Sequence, residues 1–172
     1  DGWKRFKTGG KWMYDVSALG YKYNMTDVSA SFGMWQLKQV KKWHKRRKEI
    51  FHHYNDRLCK IPGLTIPSDV SNSEVNAFHL YIIKIKNNLW KIGRNEIIEL
   101  LNKSGIGTSV HYKPVHMHSY YTEKYGYKDI DFPNSKKNYS SVITLPIYPL
   151  LKNGDVDYII DKLTDLWINN KK

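Results

Sequence analysis

The sequence predicts an α/β chain of the α+β kind: a small, mainly antiparallel sheet with helices packed on one face, preceded by a long amphipathic helix. Three observations carry this. Two short runs, FHLYIIKI at 78–85 and SVITL at 141–145, are rich in β-branched and aromatic residues and read as strands. The stretch from Thr26 to Lys60 repeats apolar residues at three- and four-residue spacings. From Asn153 or Asp155 to Trp167 the same period returns, with Val156, Ile159, Ile160, Leu163 and Leu166 on one face.

Taken in order, residues 1–20 mix Gly, Lys, Trp and Tyr without periodicity and read as an irregular arm. Thr26 and Asp27 offer an N-cap. Val28, Phe32, Trp35, Val40, Trp43, Ile50, Phe51, Tyr54 and Leu58 then give an otherwise basic helix its apolar face. Pro62 and Gly63 stop it near Lys60. Ser68 to Asn76 is polar and turn-like. After the first strand, Asn87 and Asn88 begin a loop, and Asn95 to Lys103 forms a short helix closed by Gly105. Thr108 to Tyr112 reads as a strand, His118 to Tyr125 as a short helix and Tyr127 to Asn134 as a loop. Pro146 and Pro149 cut off the strand at 141–145.

At 172 residues the chain suits one domain with an arm. An aromatic fraction of 14%, with thirteen tyrosines and six tryptophans, argues for a folded chain with polar-edged aromatic surfaces. Cys59 stands alone, which excludes an internal disulfide and fits a reducing, cytoplasmic setting. No apolar run reaches the roughly 20 residues that span a bilayer, and residues 1–10 lack the apolar core of a signal peptide. The absence of an initiator Met reads as a fragment or a processed chain. The formal charge of +12 keeps an alternative open, a basic non-catalytic domain that binds a polyanion or a protein partner. Lysine supplies 23 of the 28 cations, so the bidentate donors favoured for nucleic acid are scarce.

The chemistry concentrates in GIGTSVHYKPVH, residues 105–116. His111, Tyr112, His116 and His118 surround Pro114, which stiffens the backbone where those rings must be aimed. Gly105-Ile-Gly107 follows a helix and precedes a strand, the reverse of a dinucleotide-binding turn, and reads as a helix C-cap. The histidines lack the spacing and the neighbouring carboxylate of a metal site, so no metal is expected. No nucleophile elbow is present, and Cys59 and His79 read as structural. A second unusual segment, Tyr21-Lys22-Tyr23-Asn24, places donors and aromatic faces just before a helix start, where anions are favoured.

These two segments, in this order, resemble the DegT/DnrJ/EryC1/StrS family of sugar aminotransferases. GYKYNMTDVSASFGMWQLKQV is similar to the family's segment after its cofactor domain, and the likeness continues through KRRKEIFHHYNDRL, IPGL, FHLYIIKI, GIGTSVHYKPVH, the FPN turn and the LPIYP loop. It covers about residues 16 to 166. The resemblance implies a pyridoxal 5'-phosphate enzyme of the aspartate aminotransferase fold, acting as a homodimer on a nucleotide-linked keto sugar with a separate amino donor. It further implies that the Schiff-base lysine lies in a preceding large domain. Residues 1–25 would then be an arm joining that missing large domain, and 26–172 the C-terminal small domain, inactive alone, with no catalytic residue of its own. By the same likeness Lys22 and Asn24 would meet the cofactor phosphate or substrate. His111, Tyr112 and, less directly, His116 would line the sugar-nucleotide pocket. Many members carry Asn where this chain has Lys22 and Arg where it has Asn24, so the phosphate contact is open between the two. The GYKYN form resembles the branch that aminates UDP-linked 4-keto pentoses for lipid A.

Overall fold

A computed structural model describes residues 19–21, 23–68 and 76–172. The chain divides into two units, Asp1–Lys38 and Gln39–Lys172. In the first, the Thr26 hydroxyl accepts the backbone N–H of Ser29 at 3.2 Å and caps helix α1 (Asp27–Leu58), as expected. Most of residues 1–25, including Lys22, lie outside the described residues. The apolar face expected along all of α1 is buried only at Ile50, Phe51, Tyr54 and Leu58; Val28 and Phe32 in the first unit are exposed. Among the described residues of the first unit, no second element covers that stripe.

The second unit carries the predicted sheet. Its three strands, β1 (Leu64–Thr65), β2 (Tyr81–Ile85) and β3 (Val142–Leu145), run antiparallel in that order, and the helices pack on one face. Tyr81 pairs with Leu145 and Ile83 with Ile143. All four of these side chains are buried in the core with Ile50, Phe51, Tyr54 and Leu58 of α1. That core also receives Ile97 and Leu101 of α2 (Arg94–Lys103), and Val156, Ile159, Ile160 and Leu163 of the last helix. Each such fully buried side chain contributes about 1.5–3 kcal/mol of transfer free energy. The Tyr81 ring lies 4.6 Å from that of Tyr54 and 5.2 Å from that of Phe51, so aromatic contacts join α1 to β2.

Four expectations need correction. The first strand begins at Tyr81 rather than 78, because Phe78 takes a left-handed backbone, φ 49°, that no strand accepts. The strand expected at 108–112 shrinks to a single bridge, Ser109 opposite Thr144, with backbone bonds of 2.8 and 3.2 Å. Val115–Met117 is a 3-10 turn, and His118 stands at the N-cap position of α3 (Ser119–Tyr125). The loop expected at 127–134 contains a 3-10 turn (Asp129–Asp131) and the start of helix α4 (Pro133–Tyr139), with Pro133 in the first turn where its missing N–H costs nothing. The last helix, α5 (Asn153–Asn170), extends one turn past Trp167.

Gly105 and Gly63 are each required by the geometry. Gly105 has φ 76° and closes α2: its N–H reaches the carbonyl of Asn102, and that of Ile106 reaches Leu101. At Gly63, after α1, an added Cβ would run into the rings of Trp167 and Trp90. The Gly63 carbonyl instead accepts the buried Trp90 indole N–H at 2.8 Å. Trp90 and Trp167 meet edge to face at 5.1 Å and close that end of the unit.

Candidate functional site

Alternation along a strand sends neighbouring side chains to opposite faces of the sheet. Tyr81, Ile83, Ile143 and Leu145 take the core face, so Ile82, Lys84, Val142 and Thr144 take the other. The candidate site is built on that second face. The segment after α2 joins the outer edge of β3 at the Ser109 bridge and delivers His111 to Thr144, whose hydroxyl lies 2.8 Å from His111 Nδ1. Thr144 is 5% exposed, so the bond sits at the bottom of the site. The His111–Tyr112 peptide is cis, and the two rings meet edge to face at 4.5 Å. Tyr112 is 72% exposed and free to meet a partner molecule.

The other wall is α4. A cavity of about 380 Å³ opens between residues 111–115 on one side and Ser135, Asn138 and Tyr139 on the other, with Val142 as its floor. Lys84, from the same sheet face, donates to Asn138 Oδ1 at 3.0 Å. An ammonium group only donates, so the bond turns the Asn138 oxygen toward Lys84 and leaves its NH₂ as the free end. Beneath Tyr139 lies Arg94, at the start of α2 and only 9% exposed. Its guanidinium sits 5.2 Å from the Tyr139 ring centre, and Nη1 donates to the Val142 carbonyl at 3.3 Å. Arg94 Nε is buried without a hydrogen-bond partner among the described residues.

Of the residues singled out from sequence, His111 and Tyr112 line this cavity together. His116 lies beside it in the 3-10 turn, 8% exposed, its ring 4.4 Å from that of Phe132 and its Nε2 without a partner among the described residues. Asn24 is exposed just before α1, beside the stacked pair Tyr21 and Tyr23, whose rings lie 5.4 Å apart; Lys22 lies outside the described residues. Thr144, Asn138, Ser135, Tyr139, Lys84 and Arg94 escaped the sequence reading. The polar Thr144 inside an apolar strand was the one local signal available.

Chemically, the cavity offers an imidazole, two phenols, an amide, a hydroxyl and the ammonium of Lys113, and among the described residues no carboxylate lines it. Such a set suits hydroxyl and phosphoryl oxygens. A second cavity of about 530 Å³ lies elsewhere in the unit, between the Gly105–Gly107 turn and Tyr148, Asp155 and Tyr158. The Tyr54 hydroxyl donates to the carbonyl of Pro146, a residue of that second cavity, and that of Tyr81 to Asn55 Oδ1. Burial pushes both hydroxyls well above the ordinary tyrosine range; Tyr148 adds to the effect on Tyr54, and Tyr54 and then Cys59 to that on Tyr81. No helix among the described residues is long and apolar enough to cross a membrane.

A family model described as the DegT/DnrJ/EryC1/StrS aminotransferase family matches residues 1–164. The chain belongs to this family. It is 41% identical over 171 residues to an uncharacterised protein, MJ1066, of Methanocaldococcus jannaschii, covering 99% of this chain and 44% of that protein. It is 40% identical over 165 residues to the spore coat polysaccharide biosynthesis protein SpsC of Bacillus subtilis, covering 95% of this chain and 42% of that one. The chain thus spans under half the length of these curated relatives. Among solved structures, the PMP form of the putative sugar aminotransferase Spr1654 of Streptococcus pneumoniae superimposes with a TM-score of 0.80 at 30% identity, over 96% of this chain and 41% of that one. The Helicobacter pylori aminotransferase PseC shares the fold, with a TM-score of 0.76 at 22% identity, over 96% of this chain and 45% of that one.

The family implies pyridoxal phosphate. The His111 cavity does not fit that cofactor by itself: among the described residues no carboxylate lines it to pair with the pyridine nitrogen, and the lysine that does, Lys113, is exposed.

Proposed function

We propose that this chain supplies the small-domain wall of the substrate site in a pyridoxal-phosphate-dependent aminotransferase. In this reading the enzyme moves an amino group, from glutamate, to a nucleotide-linked 4-keto sugar destined for cell-surface polysaccharide or lipid A. Residues 26–172 are that small domain, and residues 1–25 join it to the large domain. The Schiff-base lysine and the partner of the pyridine nitrogen belong to that large domain, and residues 26–172 alone do not transaminate. His111 and Tyr112 contact the sugar nucleotide, His116 supports their segment, and Lys22 and Asn24 reach the cofactor phosphate or substrate across a homodimer in the cytoplasm.

The observation that carries the reading is the His111 cavity, lined by ring, amide and hydroxyl groups and, among the described residues, by no carboxylate, in a chain of this family. The names of its relatives lend support, a spore coat polysaccharide protein at 40% identity and a putative sugar aminotransferase with PLP and PMP forms at 31% and 30%. Two titrations followed by NMR test it. UDP-glucose should shift the signals of His111, Tyr112 and Asn138, and no shift at any of them would sink the substrate assignment. PLP followed by borohydride should leave no stoichiometric adduct on one lysine; such an adduct would overturn the claim that the Schiff-base lysine lies elsewhere.

A further inference from the structure

We infer that Thr144 is the positioning residue that fixes which nitrogen of His111 faces the cavity, and that it makes His111 a hydrogen-bond donor there. The inference deepens the sugar-nucleotide reading and rests on it only for the identity of the acceptor. Thr144 is 5% exposed, and the one hydrogen-bond partner of its Oγ1 among the described residues is His111 Nδ1, at 2.8 Å. A buried hydroxyl carries one proton that needs an acceptor, and leaving it unmade costs about 1–3 kcal/mol. If Nδ1 carried the ring proton, the Thr144 hydroxyl would accept that bond and its own proton would have nowhere to go. The arrangement that satisfies both groups has Thr144 donating to an unprotonated Nδ1.

A neutral imidazole with a bare Nδ1 carries its proton on Nε2. Nδ1 is held against the sheet, so Nε2 is on the opposite side of the ring, and His111 lines the cavity. The group presented to a ligand is therefore an N–H. Asn138 presents the same polarity from the other wall, because Lys84 occupies its oxygen and leaves its NH₂ free. The cavity thus offers donors from both walls, and the ligand atoms it selects are acceptor oxygens: a carbonyl or hydroxyl oxygen of a sugar, or a phosphoryl oxygen. Thr144 itself is placed by the strand, through the paired backbone bonds to Ser109, so the sheet sets the polarity of the site.

The test reads the ring nitrogens directly. The ¹⁵N signals of His111 in the intact chain are recorded in mildly alkaline buffer, where an ordinary imidazole is neutral. The expected pattern is a pyridine-like Nδ1 and a pyrrole-like Nε2. Thr144→Val should replace that pattern by averaged signals, while Thr144→Ser should keep it. A pyrrole-like Nδ1 in the unaltered chain overturns the inference, and so does a Thr144→Val chain, folded by its amide spectrum, whose His111 signals do not change. Should Thr144→Val fail to fold, the unaltered chain and Thr144→Ser still decide the point. UDP-glucose is then added as the probe. A shift of the Nε2 signal in the unaltered chain and in Thr144→Ser, lost in Thr144→Val, supports both readings. No response in any chain counts against the sugar-nucleotide assignment, while the ring pattern still decides the role of Thr144.

Discussion

Within residues 39–172, the sheet with its helices and the excursion from 112 to 140 are built on opposite terms. Every residue of β3 is buried, and β2 buries Tyr81, Ile83 and Ile85. In the excursion only His116 is buried, and α3 and α4 have no buried residue at all. Its order comes from capping, from the ion pair between Lys136 and Asp129 at 2.6 Å, and from a run of exposed rings linking Tyr121, Tyr125, Tyr127 and Phe132. Exposed pairs of this sort contribute about 0–1 kcal/mol each. The core therefore holds the fold, and the excursion presents groups to other molecules at little cost to stability.

Substitutions sharpen this contrast, beginning with the largest effect. Ile143→Ala, at the fully buried centre of β3, should lose about 2–5 kcal/mol in urea unfolding. Gly63→Ala should lose about 1–3 kcal/mol, since its methyl meets the Trp90 and Trp167 rings; an unchanged midpoint would mean the tryptophans yield freely. Tyr54 and Tyr81 give the core a pH dependence. Their folded pKa values lie above the ordinary 10.0, so the folded state holds its protons longer than the unfolded chain does. Stability is then full below pH 10 and falls as pH rises beyond it, and Tyr81→Phe should flatten that fall in alkaline melts.

The excursion should respond in the reverse manner. Asn138→Ala should change the unfolding free energy by less than about 0.5 kcal/mol yet weaken UDP-glucose binding by about 1 kcal/mol, roughly fivefold. Ile130→Ala, 79% exposed, should change stability by less than about 0.5 kcal/mol and leave binding unaffected. A loss above 2 kcal/mol at Ile130 would erase the distinction between the two regions.

The same division explains what the sequence could tell. The core elements advertise themselves, because burial imposes periods: YIIKI alternates, α2 and α5 repeat every three or four residues, and Gly105 marks a turn that only positive φ allows. PNSKKNY of α4 buries nothing and so has no apolar period to read; Pro133 was its one signal. The strand expected at 108–112 met a single partner residue, Thr144, and pairing with a distant strand leaves no local trace. The site divides likewise. His111 and Tyr112 could be found by their unusual chemistry, whereas Thr144, Asn138 and Lys84 matter through whom they touch, 33 and 54 residues away.

The strand β3 serves two masters at alternate positions. Ile143 and Leu145 answer to the core, while Val142 and Thr144 answer to the cavity. Selection can therefore retune ligand preference at even-numbered positions without disturbing the hydrophobic packing written at odd ones. A library varying only 142 and 144 should yield mostly folded chains of differing specificity, and one varying 143 and 145 mostly unfolded chains. Four consecutive residues thus carry two separable inheritances, one of persistence and one of taste.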